Sequence, residues 1–242
     1  MRKVIISLAP VEAGKAIDKE KLVEDVVRCE QAGAAMCHLH CRRPDGSLTP
    51  DISELTDTFE RIAEKTDLII QASTGGVSDM SIEQRCKPLD YWRVESASLN
   101  GGTTNLGEAV YINTFEDIRY CAKAVYEREI IPEIEVFDIG MIYNIRMTQA
   151  QVPYREPILY NLVFGHRGGC RRIWNASPPS WRRCRQKPDG ALPTMEEITG
   201  ISWQRLLPWA HRWCGLDLRT VINLRPAVPP PGIMKKWKSL PL

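Results

Sequence analysis

Ala34-Ala35-Met36-Cys37-His38-Leu39-His40 is an apolar run that ends in two imidazoles two residues apart. Side chains alternate across a strand, so positions i and i+2 share a face. Read as a strand, the run delivers His38 and His40 side by side at its carboxyl end. Cys37, Leu39 and Cys41 then point the other way. A catalytic zinc site takes three protein ligands and keeps one position open, so the pair supplies two of the three. The alternative is a pair of hydrogen-bonded histidines at a strand end. The chain has four histidines in all, which makes the spacing informative.

Runs of the same kind start near Val4, Leu68, Val94, Ile131 and Ile158. Several, such as Leu68-Ile69-Ile70 and Leu159-Tyr160-Asn161-Leu162-Val163-Phe164, are nearly continuous rather than alternating. That pattern suits strands of a parallel sheet buried on both faces. Helical spacing fills the gaps between runs. Leu22, Val26 and Cys29 recur over residues 19–32, with Gly33 as a stop, and Leu55, Phe59 and Ile62 recur over 53–65. Thr114 with Asp117 has the form of a helix start, and Ile118, Cys121, Ala122 and Val125 follow at helical spacing. Six strand–helix units in series point to an α/β fold of the (β/α)8 TIM-barrel type, incomplete after strand six. The 242 residues match the roughly 250 of one such barrel.

Working residues of these barrels sit at the carboxyl ends of the strands. Here those ends carry Ala9-Pro10-Val11-Glu12, the histidine pair followed by Arg42-Arg43-Pro44-Asp45-Gly46, Ser73-Thr74-Gly75-Gly76, Ser98-Leu99-Asn100-Gly101-Gly102-Thr103, and Gly165-His166-Arg167-Gly168-Gly169. Hydroxyls and exposed backbone N–H groups in glycine-rich tips can hold a carboxylate, a phosphate or a developing oxyanion. Each tip taken alone is also an ordinary βα turn. Glu133 and Glu135 share one strand face. Facing inward, one serves as a general base or orients a metal ligand; facing outward, both are solvated.

Composition changes sharply along the chain. Residues 1–165 hold 18 Lys+Arg against 26 Asp+Glu, whereas 166–242 hold 14 against 4, with six of the seven Trp and ten of the seventeen Pro. Two regions follow: 1–169, the βα-repeat barrel portion, and 170–242, an atypical Trp/Arg/Pro-rich tail in place of the last barrel units. Basic residues with aromatics raise single-stranded nucleic acid as a partner, but the prolines break any long helix and helical periodicity is poor, so nucleic acid is not the expected partner. The first apolar run, Val4-Ile5-Ile6-Ser7-Leu8, is too short for a signal peptide. No stretch of about 18 apolar residues exists to span a membrane. The eight cysteines form no Cys-x-x-Cys pair, as for reduced thiols. The expected location is the cytoplasm, without membrane attachment.

Taken together, His38 to Gly46, Gln71-Ala72-Ser73-Thr74-Gly75-Gly76, Ser98 to Thr103, Pro132-Glu133-Ile134-Glu135 and Phe164 to Gly169 resemble the β-keto acid cleavage enzymes. Five motifs match in order over about residues 1–169. The resemblance implies a zinc-dependent (β/α)8 barrel that is usually homo-oligomeric. Its partners are a β-keto acid and acetyl-CoA, converted to acetoacetate and a new CoA ester. It implies zinc on His38 and His40, substrate or oxyanion held by Ser73 and the Gly75-Gly76 backbone, further substrate contacts from Ser98 and Asn100, and Glu135 supporting the acid/base group. Where an amino-substrate enzyme of the family grips its amine with glutamate, this chain has Gly14, with Glu12 nearby.

The family's last strand carries Arg-x-Gly-Phe-Glu-Asp, which supplies a substrate arginine, the third zinc ligand and the general base. No such motif follows Gly169; the nearest stretch, Leu218 to Arg225, has no carboxylate after it. The expectation is that residues from about 170 onward come from a shifted or mispredicted reading frame. The site is then short of one zinc ligand, and activity is expected to suffer. Two other readings stay open. One is a metal-dependent hydrolase barrel of the amidohydrolase type, in which His-x-His also follows a strand. The other is a non-catalytic interaction protein working through its basic tail.

Overall fold

A computed structural model describes residues 5–11, 14–75, 79–156, 158–163 and 217–221. In chain order the strands are β1 (Ile5–Ala9), β2 (Met36–Leu39), β3 (Ile69–Ser73), β4 (Ser96–Asn100), a small hairpin of β5 (Thr104–Leu106) and β6 (Ala109–Tyr111), β7 (Ile131–Val136), β8 (Leu159–Leu162) and β9 (Asp217–Val221). The helices are α1 (Lys19–Gln31), α2 (Ser53–Lys65), a single turn α3 (Ile82–Arg85), α4 (Phe115–Glu127) and α5 (Gly140–Gln149). Each expected strand lies within two residues of its place.

One sheet runs in the order β8-β7-β4-β3-β2-β1-β9. Its first six members are mutually parallel and curl into a half-barrel clothed by the helices. Burial is continuous along β2, β3, β4 and β7, as a sheet covered on both faces requires. The two faces differ in chemistry. Cys37, Leu39, Ile70, Ala72, Leu99 and Ile134 join the hydrophobic core under the helices. The alternate positions Met36, His38, Gln71, Ser98, Glu133 and Asn161 are also buried, but on the inner face. Toward the amino ends that face is apolar, with Met36 opposite Ile69; toward the carboxyl ends it becomes polar, with Ser98 opposite Glu133 and Glu135 opposite Asn161.

The helices follow local signals. α1 buries Leu22, Val26 and Cys29, and α2 buries Leu55, Phe59 and Ile62. Lys19 bridges the two helices to Glu54 and Asp57. Thr114 caps α4 in a capping box with Asp117, which satisfies N–H groups that the first turn leaves open. The β5–β6 hairpin, α3 and α5 escaped the pattern. The hairpin has a local signature, because Gly107 at φ +67 opens a two-residue loop of the kind that strand pairs favour.

β9 departs from barrel order. A complete barrel gives the outer edge of β1 to a parallel strand. Here that edge pairs antiparallel, from Ile5 opposite Val221 to Ala9 opposite Asp217, and β9 also comes within 8 Å of β8, Cα to Cα. The β1 edge is therefore not left open, which removes one row of exposed backbone donors and acceptors. Among the described residues no helix is long and apolar enough to cross a membrane.

Candidate active site

The carboxyl ends of β2, β3, β4 and β7 bring most of the singled-out residues onto one face. His38 is the third residue of β2 and is fully buried; His40 follows the strand and is half-buried. Their rings stand edge to face with centroids 5.1 Å apart, so the i, i+2 reading of the pair holds. His38 Nδ1 lies 2.7 Å from Gln71 Oε1. Cys37 and Cys41 lie on the helix side, in the hydrophobic core. Burial pushes the Cys37 thiol well above its ordinary range. Burial, aided by the nearby Asp51 carboxylate, pushes Cys41 up to about 11. Both are protonated thiols rather than thiolate ligands at neutral pH.

Ser73 ends β3. Its Oγ accepts the Gly75 N–H at 3.0 Å and lies 3.4 Å from Ser98 Oγ on β4. Thr74 Oγ1 donates to the Ser98 carbonyl at 2.6 Å, locking the two strand ends together. A Cβ at Gly75 would stand 3.0 Å from His40 Cε1, 3.0 Å from Ser73 Oγ and 3.3 Å from the Tyr111 hydroxyl. The glycine thus lets a histidine, a serine and a tyrosine converge. Gly75→Ala is expected to cost about 1–2 kcal/mol, a melting-point drop of roughly 2–8 °C, and to shift the His40 ring-proton resonance while leaving that of His38 in place. Thermal melting and proton NMR check this. Gly76 lies outside the described residues, as do Glu12 and the tip 165–169.

Asn100 ends β4 and is 1% exposed. Neither its amide nitrogen nor its oxygen meets a hydrogen-bond partner among the described residues. A buried amide left so costs about 1–3 kcal/mol, so the position suits a bound polar group or ordered water. Glu133 and Glu135 both face inward and are buried, which decides against the solvated alternative. Glu133 receives Gln71 Nε2 at 2.8 Å and Asn161 Nδ2 at 2.9 Å. Glu135 lies opposite Asn100 in the ladder.

One tip has a different purpose from the one expected. A Cβ on Gly101 would come 2.9 Å from Met141 Cβ, and one on Gly102 2.9 Å from Asn144 Nδ2. Asn144 also donates to the Gly101 carbonyl at 3.0 Å. The Gly101-Gly102 pair therefore admits α5 at close range rather than framing an anion.

Sequence reasoning gave no role to Gln71, Asn161 or Tyr111. The first two had a signal: each is a polar residue within a strand, flanked on both sides by apolar neighbours. Tyr111 had none, since it comes from the unforeseen hairpin. It is 4% exposed, the Arg85 guanidinium lies 5.3 Å from its ring centroid, and burial holds its hydroxyl well above the ordinary range.

The histidine pair suits a divalent metal in ligand type and placement. The Gln71 carbonyl on Nδ1 leaves Nε2 as the ligating nitrogen of His38, the usual arrangement around bound zinc. In number the set falls short: among the described residues no group of three His, Cys, Asp or Glu could hold an ion.

Comparison with known proteins supplies context for this geometry. The sequence model of the beta-keto acid cleavage enzyme family matches residues 16–192, past Gly169 where the quoted motifs end. The 3-keto-5-aminohexanoate cleavage enzyme of Fusobacterium nucleatum is 38% identical over 178 residues, 68% of this chain and 64% of that one. The 3,5-dioxohexanoate:acetyl-CoA acetone transferase of Paraburkholderia graminis is 29% identical over 201 residues, 69% of this chain and 65% of that one. The chain thus spans just under two thirds of these relatives. Among solved structures, ObcA in its apo form superposes with a TM-score of 0.53 at 21% identity, over 62% of this chain and 36% of that one. This is a likeness of fold.

Proposed function

The chain belongs to the beta-keto acid cleavage enzyme family, and from that premise we propose that its inner-face cup binds a β-keto acid for exchange with acetyl-CoA. In that reaction the keto acid R-CO-CH2-COO⁻ and acetyl-CoA become acetoacetate and R-CO-CoA. A carbon–carbon bond forms to the acetyl carbonyl carbon as its thioester bond breaks, and the carbon–carbon bond beside the R-CO carbonyl breaks as the CoA sulfur takes up R-CO, so the atoms balance. The observation that carries the reading is the convergence of His38, His40, Ser73, Ser98, Asn100 and Glu135 at one end of one sheet face.

The residues divide the work as follows. Asn100, with a buried amide open at both atoms among the described residues, hydrogen-bonds a keto or carboxylate oxygen. Ser73 and Ser98, their hydroxyls 3.4 Å apart, orient the same group, and Gly76, outside the described residues, is the proposed oxyanion contact. Glu135 supports proton transfer. A zinc ion held by His38 and His40 would supply Lewis-acid polarisation of the substrate oxygens.

Residues 170–242 are proposed to replace the last barrel units without providing the missing ligand and base. The chain as written then binds substrate better than it converts it. The cytoplasm is the proposed compartment, in keeping with the buried thiols of Cys37, Cys41, Cys86 and Cys121, none of them in a disulfide, and a homo-oligomer the proposed assembly.

The test uses the full 242-residue chain. Metal analysis is expected to find substoichiometric zinc, and no acetoacetate should form from acetyl-CoA with a panel of β-keto acids. Calorimetry is expected to detect β-keto acid binding that weakens on Asn100→Ala. Absence of binding to every acid in the panel overturns the site. Stoichiometric zinc with robust turnover overturns the impaired-site part.

A further inference from the structure

Four polar side chains behind the histidine pair form a chain of hydrogen bonds whose direction can be worked out. Ser96 Oγ donates to the Ile131 carbonyl at 3.1 Å, so its single proton is committed and the oxygen can only accept. Gln71 Nε2 lies 2.9 Å from that oxygen and 2.8 Å from Glu133 Oε2. Oε2 takes the Gln71 N–H and Oε1 takes one from Asn161, so both Glu133 oxygens accept. Both neighbours therefore require the amino side of the Gln71 amide, and its oxygen must face His38 Nδ1 at 2.7 Å. An amide oxygen has no proton to give, so Nδ1 must carry it, and Nε2 carries the lone pair. Asn161 Nδ2, 2.9 Å from Glu133 Oε1, fixes the carboxylate from its other side.

We propose that Glu133 and Ser96, acting through Gln71, are positioning residues that hold His38 as its Nδ1–H tautomer and so present Nε2 as the site's acceptor nitrogen. All four, and His38 with them, are buried, with Gln71, Glu133 and Ser96 at 0% exposure, His38 at 1% and Asn161 at 4%, so water does not compete for these bonds. The relay spans four strands, β2, β3, β4 and β7, with Asn161 on β8 beyond. It determines which nitrogen meets a metal or an acidic substrate proton. Its importance to turnover rests on the function proposed above, whereas its existence does not.

The tautomer is directly readable. Long-range proton–nitrogen correlation spectra of the metal-free, histidine-labelled full chain, taken well above the ordinary imidazole pKa of about 6.5, should show His38 with a pyrrole-type Nδ1 and a pyridine-type Nε2. His38→Gln assigns the signals. In Glu133→Gln the new amide can donate as well as accept, so Gln71 can turn over and the Nε2–H form should grow in. Adding Ser96→Ala should increase it further. Gln71→Met, which removes the acceptor altogether, should also release the preference. Melting curves select the folded variants. Cobalt(II) affinity should fall by roughly 10–100-fold in the same variants, as for lost partners of metal-bound histidines.

An Nε2–H or doubly protonated His38 in the unaltered chain overturns the relay. So does an unchanged tautomer in every folded variant. Nδ1–H in the parent chain with the predicted response, but no metal or β-keto acid binding, leaves the relay standing and removes the functional reading instead.

Discussion

Phe59→Ala is expected to destabilise the protein by about 3–5 kcal/mol, which is a large part of the roughly 5–15 kcal/mol that holds a typical domain folded. Phe59 is 0% exposed and is among the largest fully buried side chains. It lies on the inward stripe of α2 between Leu55 and Ile62 and stacks on Tyr91, with centroids 5.8 Å apart and planes at 11°. Truncation removes the ring's burial and leaves a cavity that helix and sheet can only partly close. Because Phe59 shares one hydrophobic core with Cys37 and Leu39 of β2 and Ile70 and Ala72 of β3, the loss should also loosen the strands that carry His38 and Gln71. Chemical denaturation read by tryptophan fluorescence and circular dichroism checks the magnitude. A shift below about 1 kcal/mol, the scale of an ordinary surface change, overturns the packing account.

Gly46→Ala should have an effect of similar size for a different reason. Gly46 has φ +87, and a Cβ there would sit 2.1 Å from the Lys15 carbonyl oxygen and 2.8 Å from its carbon. A left-handed backbone costs an L residue about 1–2 kcal/mol, and relieving the overlap adds roughly 1–3 kcal/mol. The obstacle is main chain and cannot rotate away. The loop is also tied down: Gly46 N–H donates to the Arg43 carbonyl, Arg42 donates to the Gly46 carbonyl, and Ile17 N–H donates to the Pro44 carbonyl. The substitution should therefore part the segment near Lys15 from the loop after β2. Faster amide exchange at Ile17 and a lower melting point are the expected readouts; an unchanged melting point would falsify this account.

Pro44-Asp45-Gly46 illustrates how far the sequence could be read. It is visible as a turn from its residue types. That its glycine is pressed against the Lys15 carbonyl is not, because the partner lies across a loop closure. The same division runs through the site. His38 and His40 share a face because a strand has a period of two. Ser73, Ser98 and Asn100 could be collected because barrel chemistry gathers at strand ends. The Gly101-Gly102 pair misled for the same reason: a glycine-rich tip looks alike whether it holds an anion or admits a helix. Only the approach of Met141 and Asn144 distinguishes them. Tyr111 escaped because it reaches His40's neighbourhood from a hairpin inserted after β4.

By itself, the sequence determined the strand–helix alternation, the parallel half-barrel and the identity of the polar strand ends. These depend on periodicity and capping, which act between residues a few positions apart. Tertiary structure alone decided which carboxylates turn inward, that the β1 edge takes an antiparallel partner from residues 217–221, and how Glu133 orients Gln71 across 62 residues of chain. Hydrogen-bond direction belongs to a closed set of donors and acceptors, and that set exists only once distant strands have been brought into register.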